Sequence, residues 1–262
     1  LLEKPTETVI GINIANIDQA RKVHALAELG KNFKISLLRA EFLLEDIAVH
    51  VNALVDFDKG ILMEKLPDLH RRIAEKIAGY GSGEEYFKTM YTERIAAFAA
   101  LFPNSVVTLR TTDFKTNEYK SLIGGKEYEP EEPNPMMGDR GLLRFLRPEN
   151  RDAFKWELEA IKKAREMGYK NIEVMFPMVR DPKELTGDPE LDEIGFKGAF
   201  EIMDEVGMGP GRDGLRVGIM MEVPTNAIRL RSFLKTGIIF VSIGSNDFTQ
   251  FTLAVDRDNE RM

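Results

Sequence analysis

The sequence predicts an α/β fold built on a parallel sheet. Short apolar runs alternate with longer amphipathic stretches, as βα units do. The runs lack strict in–out alternation, as strands covered on both faces should. With 262 residues, 43% of them hydrophobic, the chain can bury one large core.

Taken in order, strands are predicted near Val9–Ile14, Lys34–Leu38, Ser105–Leu109, Ile172–Phe176, Arg216–Met221 and Phe240–Ile243. A helix opening at Ile17 runs to Gly30, a plausible left-handed stop. Residues 42–102 read as a long helical insertion after the second strand, including Glu84–Leu101. The stretch Lys115–Pro148, rich in Gly, Pro and Glu, reads as an extended loop. Asn150 is placed to cap a helix over Arg151–Met167, with Gly168 at its end and Phe154, Leu158, Ile161 and Ala164 on its inner face. Met220 and Met221 read as core and pocket lining, and Trp156 as covering a boundary of the core. Six strands fit an open doubly wound sheet or six units of an eight-unit barrel.

Composition excludes several functions. The net charge of −7 offers no basic footprint for nucleic acid and weakens any case for an anionic membrane surface. No apolar run is long enough to span a bilayer, and the first residues lack a signal-peptide pattern, so a cytoplasmic enzyme is expected. Without cysteine, the chain has neither disulfides nor thiolate metal ligands. His24, His50 and His70 show no metal-ligand spacing. Gly209–Gly214 matches a dinucleotide-binding glycine pattern but precedes a strand, so it reads as a tight αβ loop.

Four candidate sites follow predicted strands directly: Arg39 in Leu37–Phe42, Arg110 in Leu109–Tyr119, Glu222 in Met220–Pro224, and Gly244, Ser245, Asn246 and Asp247 in Ile243–Gln250. Arg39 and Arg110 suit bidentate capture of phosphate or carboxylate. Glu222 and Asp247 come from consecutive strand ends and suit a hard divalent cation that keeps waters. Any one of these could be a surface ion pair or a helix cap. Four together at the C-terminal ends of strands favour the barrel, whose active sites lie there.

Leu38–Phe42, Asn134–Gly141, Met221–Pro224 and Gly244–Gln250 together resemble the C-terminal domain of the PEP-utilising enzymes, and Val255–Asp258 continues the last motif. That family includes synthases, pyruvate phosphate dikinases and enzyme I of the sugar phosphotransferase system. Asp113–Tyr119 is similar to the synthase version, while Ser36 stands where the family usually has glycine.

The resemblance implies a (β/α)8 TIM-type barrel, here about six units, forming one phosphoenolpyruvate/pyruvate-binding domain over residues 1–262. It implies that Arg39, Arg110 and Arg140 grip phosphate with Arg257 nearby. It further implies that Glu222 and Asp247 hold Mg2+, and that Asn246 with the Gly244 and Ser245 backbone holds substrate. The implied reaction is phosphoryl transfer between a phosphohistidine and pyruvate, giving phosphoenolpyruvate. The phosphohistidine, the Cys that handles the methylene proton and an ATP-using nucleotide domain would lie outside this stretch, leaving no catalytic residue within it. A homo-oligomer is the implied assembly. The alternatives are a dikinase, an enzyme I, or a non-catalytic assembly-forming paralogue. As a strand-end residue, Arg110 is expected to serve substrate and not the core.

Overall fold

A computed structural model describes residues 8–27, 33–256 and 259. In chain order the elements are β1 (Ile10–Ile14), α1 (Ile17–Ala27), β2 (Phe33–Arg39), α2 (Glu41–Ile47), α3 (Val51–Asp58), α4 (Ile61–Lys65), α5 (Pro67–Lys76), α6 (Gly83–Leu101) and β3 (Val107–Arg110). Then come α7 (Thr116–Tyr119), α8 (Gly125–Tyr128), α9 (Leu142–Leu146), α10 (Arg151–Glu166), β4 (Ile172–Phe176), α11 (Lys183–Thr186), α12 (Ala199–Glu205) and β5 (Val217–Met221). Last are α13 (Pro224–Ile228), α14 (Leu230–Leu234), β6 (Phe240–Ile243) and α15 (Ser245–Leu253).

The six strands form one parallel sheet in the order β1-β2-β3-β4-β5-β6. A doubly wound sheet reverses its strand order at a switch point, whereas a barrel adds each strand beside the last. The monotonic order therefore decides for the barrel type, through its sixth strand.

Burial follows from this arrangement. β3 and β4 are buried at every position, as strands with neighbours on both edges and helices outside must be. β1 and β6 are the sheet's two edges, and Ile10, Val241 and Ile243 are exposed there. Leu37, Met175 and Met220 pack with Phe240 as a small cluster separate from the main core, which lies between sheet and helices. Along α10, Phe154, Leu158 and Ile161 are fully buried, each worth about 1.5–3 kcal/mol of apolar burial. Ser36, in place of the family glycine, finds its room opposite Gly11, where a Cβ would lie 2.5 Å from the Ser36 hydroxyl.

Three local expectations are corrected. β3 starts at Val107, because Ser105 is taken into a turn on Phe102 and its carbonyl is bonded by Asn171. Asn150 does not cap α10 with its side chain; its amide donates to the Arg144 carbonyl and accepts from Asn52. Residues 115–148 are not an extended loop throughout, since the short helices α7, α8 and α9 fold within them and Glu129 and Glu132 are bonded inward. The stop expected at Gly30 lies outside the described residues. Among the described residues no helix is long and apolar enough to cross a membrane.

Candidate functional site

A cleft of about 160 Å3 opens at the C-terminal ends of β2 and β3, beside the start of α15. Arg39 from the end of β2, Arg110 from the end of β3, Arg140 from the segment after α8 and Asp247 from the first turn of α15 all line it. Glu222, directly after β5, lies beside it. A Cβ on Gly244 would sit 2.9 Å from a Glu222 carboxylate oxygen, so the motif after β6 needs glycine to approach that side chain. Ser245 and Asn246 are exposed at the start of α15. Arg257 lies outside the described residues.

The arginines differ in how they are held. Arg39 is exposed and has no ion-pair partner among the described residues. Arg110 is only 6% exposed; it donates to Glu41 and lies 3.5 Å from Asp113, while its Nε is buried without a hydrogen-bond partner. Arg140 grips Asp113 with a two-pronged bond, Nε to Oδ1 at 3.0 Å and Nη2 to Oδ2 at 2.5 Å. Asp113 therefore binds the two buried guanidinium groups into one unit. Burial opposes the Arg110 charge, but Glu41, Asp113 and Glu222 outweigh it and raise its pKa above the ordinary value. Arg140 behaves likewise, with Asp113 as its chief counter-charge. The expectation that Arg110 serves substrate and not the core is thus corrected: it is a buried, paired charge, and the carboxylates beside it rely on it.

The two carboxylates expected to hold metal are buried with spare acceptors. Glu222 is fully buried, and its Oε1 accepts from the Met178 backbone N–H at 2.7 Å while its Oε2 has no hydrogen-bond partner. Asp247 is 8% exposed, and its Oδ1 has no hydrogen-bond partner and lies 3.6 Å from Arg140 Nη1. Burial pushes the Glu222 carboxyl up to about 7, and Asp113 and Asp247 add to this against the pull of Arg110. A buried carboxylate oxygen without a partner is costly, and a cation relieves that cost. This donor set fits a hard divalent cation. Among the described residues no group of three or more His, Asp or Glu gathers as a metal site. The protein's share is two carboxylates, which suits an ion that completes its shell with water and substrate oxygens.

Sequence reasoning gave no role to Glu41, Asp113 or Met178. Glu41 and Asp113 were legible in principle, as carboxylates two and three residues from the motif arginines. Met178 was not: its φ of 51° is a left-handed conformation unusual for a residue with a Cβ, and it aims the backbone N–H at Glu222. Gly141 makes room for it, since a Cβ there would lie 2.3 Å from the Met178 Cβ.

Beneath the end of β3, Glu157 of α10 accepts from the Tyr91 hydroxyl at 2.5 Å and from the Thr112 N–H at 3.0 Å. Burial pushes Glu157 up to about 7 despite these bonds, and does the same for Glu184, which accepts from the Arg180 and Asp181 N–H groups. Between pH 4.5, the ordinary value, and about 7 each holds a proton in the folded state that the unfolded chain releases. Stability is accordingly greatest below pH 4.5 as far as these groups go, falls as pH rises to about 7 and is level above. Glu157→Gln should flatten part of that slope in denaturation midpoints measured from pH 4.5 to 8; an unchanged slope would place its titration elsewhere.

Comparison with known proteins gives the same direction throughout. The family described as PEP-utilising enzyme, PEP-binding domain, matches residues 2–262. A phosphoenolpyruvate synthase of Escherichia coli is 38% identical over 250 residues, covering 95% of this chain and 29% of its own length. Another, from Helicobacter pylori, is 39% identical over 258 residues, 97% of this chain and 29% of its own length. A probable phosphoenolpyruvate synthase of Methanocaldococcus jannaschii is 38% identical, covering 97% of this chain and 18% of its own length. The chain thus spans less than a third of each of these relatives.

Proposed function

Because the chain belongs to the PEP-utilising enzymes, matching their PEP-binding domain, we propose that it binds phosphoenolpyruvate and pyruvate for a phosphoenolpyruvate synthase. The observation that carries the reading is one cleft lined by the buried Arg110, Arg140 and Asp247 with the buried Glu222 next to it, both carboxylates keeping an oxygen that has no hydrogen-bond partner. Phosphoenolpyruvate has this chemistry in mirror image: a phosphate for the guanidinium groups, and carboxylate and enol oxygens for a cation.

In the proposed reaction the enol oxygen of pyruvate takes the phosphoryl group from a phosphohistidine. The P–N bond breaks, the P–O bond forms and the methyl group gives up one proton. Arg39, Arg110 and Arg140 hold the phosphoryl oxygens, and the Asp113 clamp fixes Arg110 and Arg140 before substrate arrives. Arg257 joins them. Glu222 and Asp247 hold Mg2+, which when bound supplies Lewis-acid stabilisation of enolate charge. Asn246, with the backbone of Gly244 and Ser245, orients the substrate. The histidine, the proton-handling Cys and an ATP-using domain belong to other parts of the longer polypeptide, which the reading takes to be a cytoplasmic homo-oligomer. The names of the relatives favour a synthase over a dikinase or an enzyme I.

Calorimetry on the intact protein tests this. Phosphoenolpyruvate and oxalate should both bind, and both should need Mg2+. A folded protein that binds neither ligand with Mg2+ present would refute the reading.

A further inference from the structure

The helical insertion and the 115–148 segment, the two departures from the barrel rhythm, are joined by a buried hydrogen bond to a carboxylate that also holds an arginine. His50 precedes α3 and is 2% exposed; its Nε2 lies 2.8 Å from Glu129 Oε1. Glu129, 6% exposed, also accepts from Arg144 Nη1 at 3.0 Å and from its Nη2. Arg144 lies over the Tyr119 ring and 3.4 Å from Asp139, which Arg147 grips from the other side. Asn52, the second residue of α3, donates to Asn150 at 2.7 Å. The insertion therefore holds the chain at two points, Glu129 and Asn150, that flank Arg140 in sequence.

A buried ion pair is poor value as a source of stability, because desolvation consumes what attraction supplies. It does fix geometry. Here the fixed object is the chain at Asp139, the residue before Arg140. None of His50, Asn52, Glu129 and Arg144 lines the cleft, so they reach substrate only through another residue. We propose that His50, Asn52 and Glu129 are positioning residues for Arg140: the insertion acts as a brace that sets where that guanidinium meets the phosphoryl group. The inference rests on the functional reading above. A misplacement of about 1 Å at a binding group can cost a hundredfold, so a brace without substrate contacts can still govern affinity.

The test compares two ligands in the intact protein with Mg2+. Oxalate lacks a phosphoryl group and reports the carboxylate side of the cleft; phosphoenolpyruvate reports both sides. Glu129→Gln keeps size and loses the charge that holds Arg144. It should weaken phosphoenolpyruvate binding by about tenfold or more and leave oxalate within about twofold. Adding Glu129→Gln to Arg140→Ala should cost no further phosphoenolpyruvate affinity, because both act through one guanidinium. If Glu129→Gln does not fold, Asn52→Ala, which removes the other tether, carries the same comparison. Unchanged phosphoenolpyruvate affinity, equal loss of both ligands, or full additivity with Arg140→Ala would each overturn the brace. A wild-type protein that binds neither ligand would overturn the functional reading and this inference with it.

Discussion

Arg110→Ala is expected to lose phosphoenolpyruvate affinity by about thirtyfold or more and to cost the fold roughly 3–5 kcal/mol at the same time. The two losses share one origin. Arg110 is a charged donor facing the cleft, and it is also the buried counter-ion of Glu41 and Asp113. Glu41 already has its pKa raised by burial against the pull of Arg110, so losing the arginine leaves it protonated or unfavourably charged. Arg39→Ala is the control: Arg39 is exposed and unpaired among the described residues, so it should weaken binding with little change in melting temperature. Denaturation and calorimetry on both variants check this. Arg110→Ala melting with the wild type would show that Glu41 and Asp113 do not rely on it.

The second large effect belongs to the carboxylates. Glu222→Gln and Asp247→Asn should each abolish Mg2+-dependent binding of oxalate and phosphoenolpyruvate, a loss of about a hundredfold or more, while folding normally. Folding should survive because each replacement removes a buried carboxylate with an oxygen that makes no hydrogen bond, at no cost in volume. Glu222→Gln also keeps an oxygen for the Met178 N–H. Single variants that retain the wild-type Mg2+ dependence would remove both residues from the metal site.

Much of this was legible in the sequence because a parallel barrel writes its strands plainly. β4 and β6 fell on the residues their apolar runs marked, and Arg39, Arg110 and Asp247, each just after a run, came to line one cleft. What was not legible depends on contacts between distant residues. Nothing local says that Asn150 will bond Asn52 instead of capping its own helix, because both uses satisfy the same amide. The glutamates of 115–148 look like a solvated loop until His50 and Arg144 are found to bury one of them. The Arg110 motif marked a residue that lines the cleft, while its buried pairing came from Glu41 at the start of α2, two residues beyond the neighbouring strand. The left-handed Met178 sits where Gly141, distant in sequence, leaves room and Glu222 accepts its N–H.

The most direct test of the whole account is a crystal structure of the protein with Mg2+ and oxalate. The account predicts one ion in the strand-end cleft, ligated by Glu222 and Asp247 and chelated by oxalate, with Arg110 and Arg140 still joined through Asp113. An ion bound elsewhere, or oxalate held in this cleft without either carboxylate contributing to the metal, would contradict it.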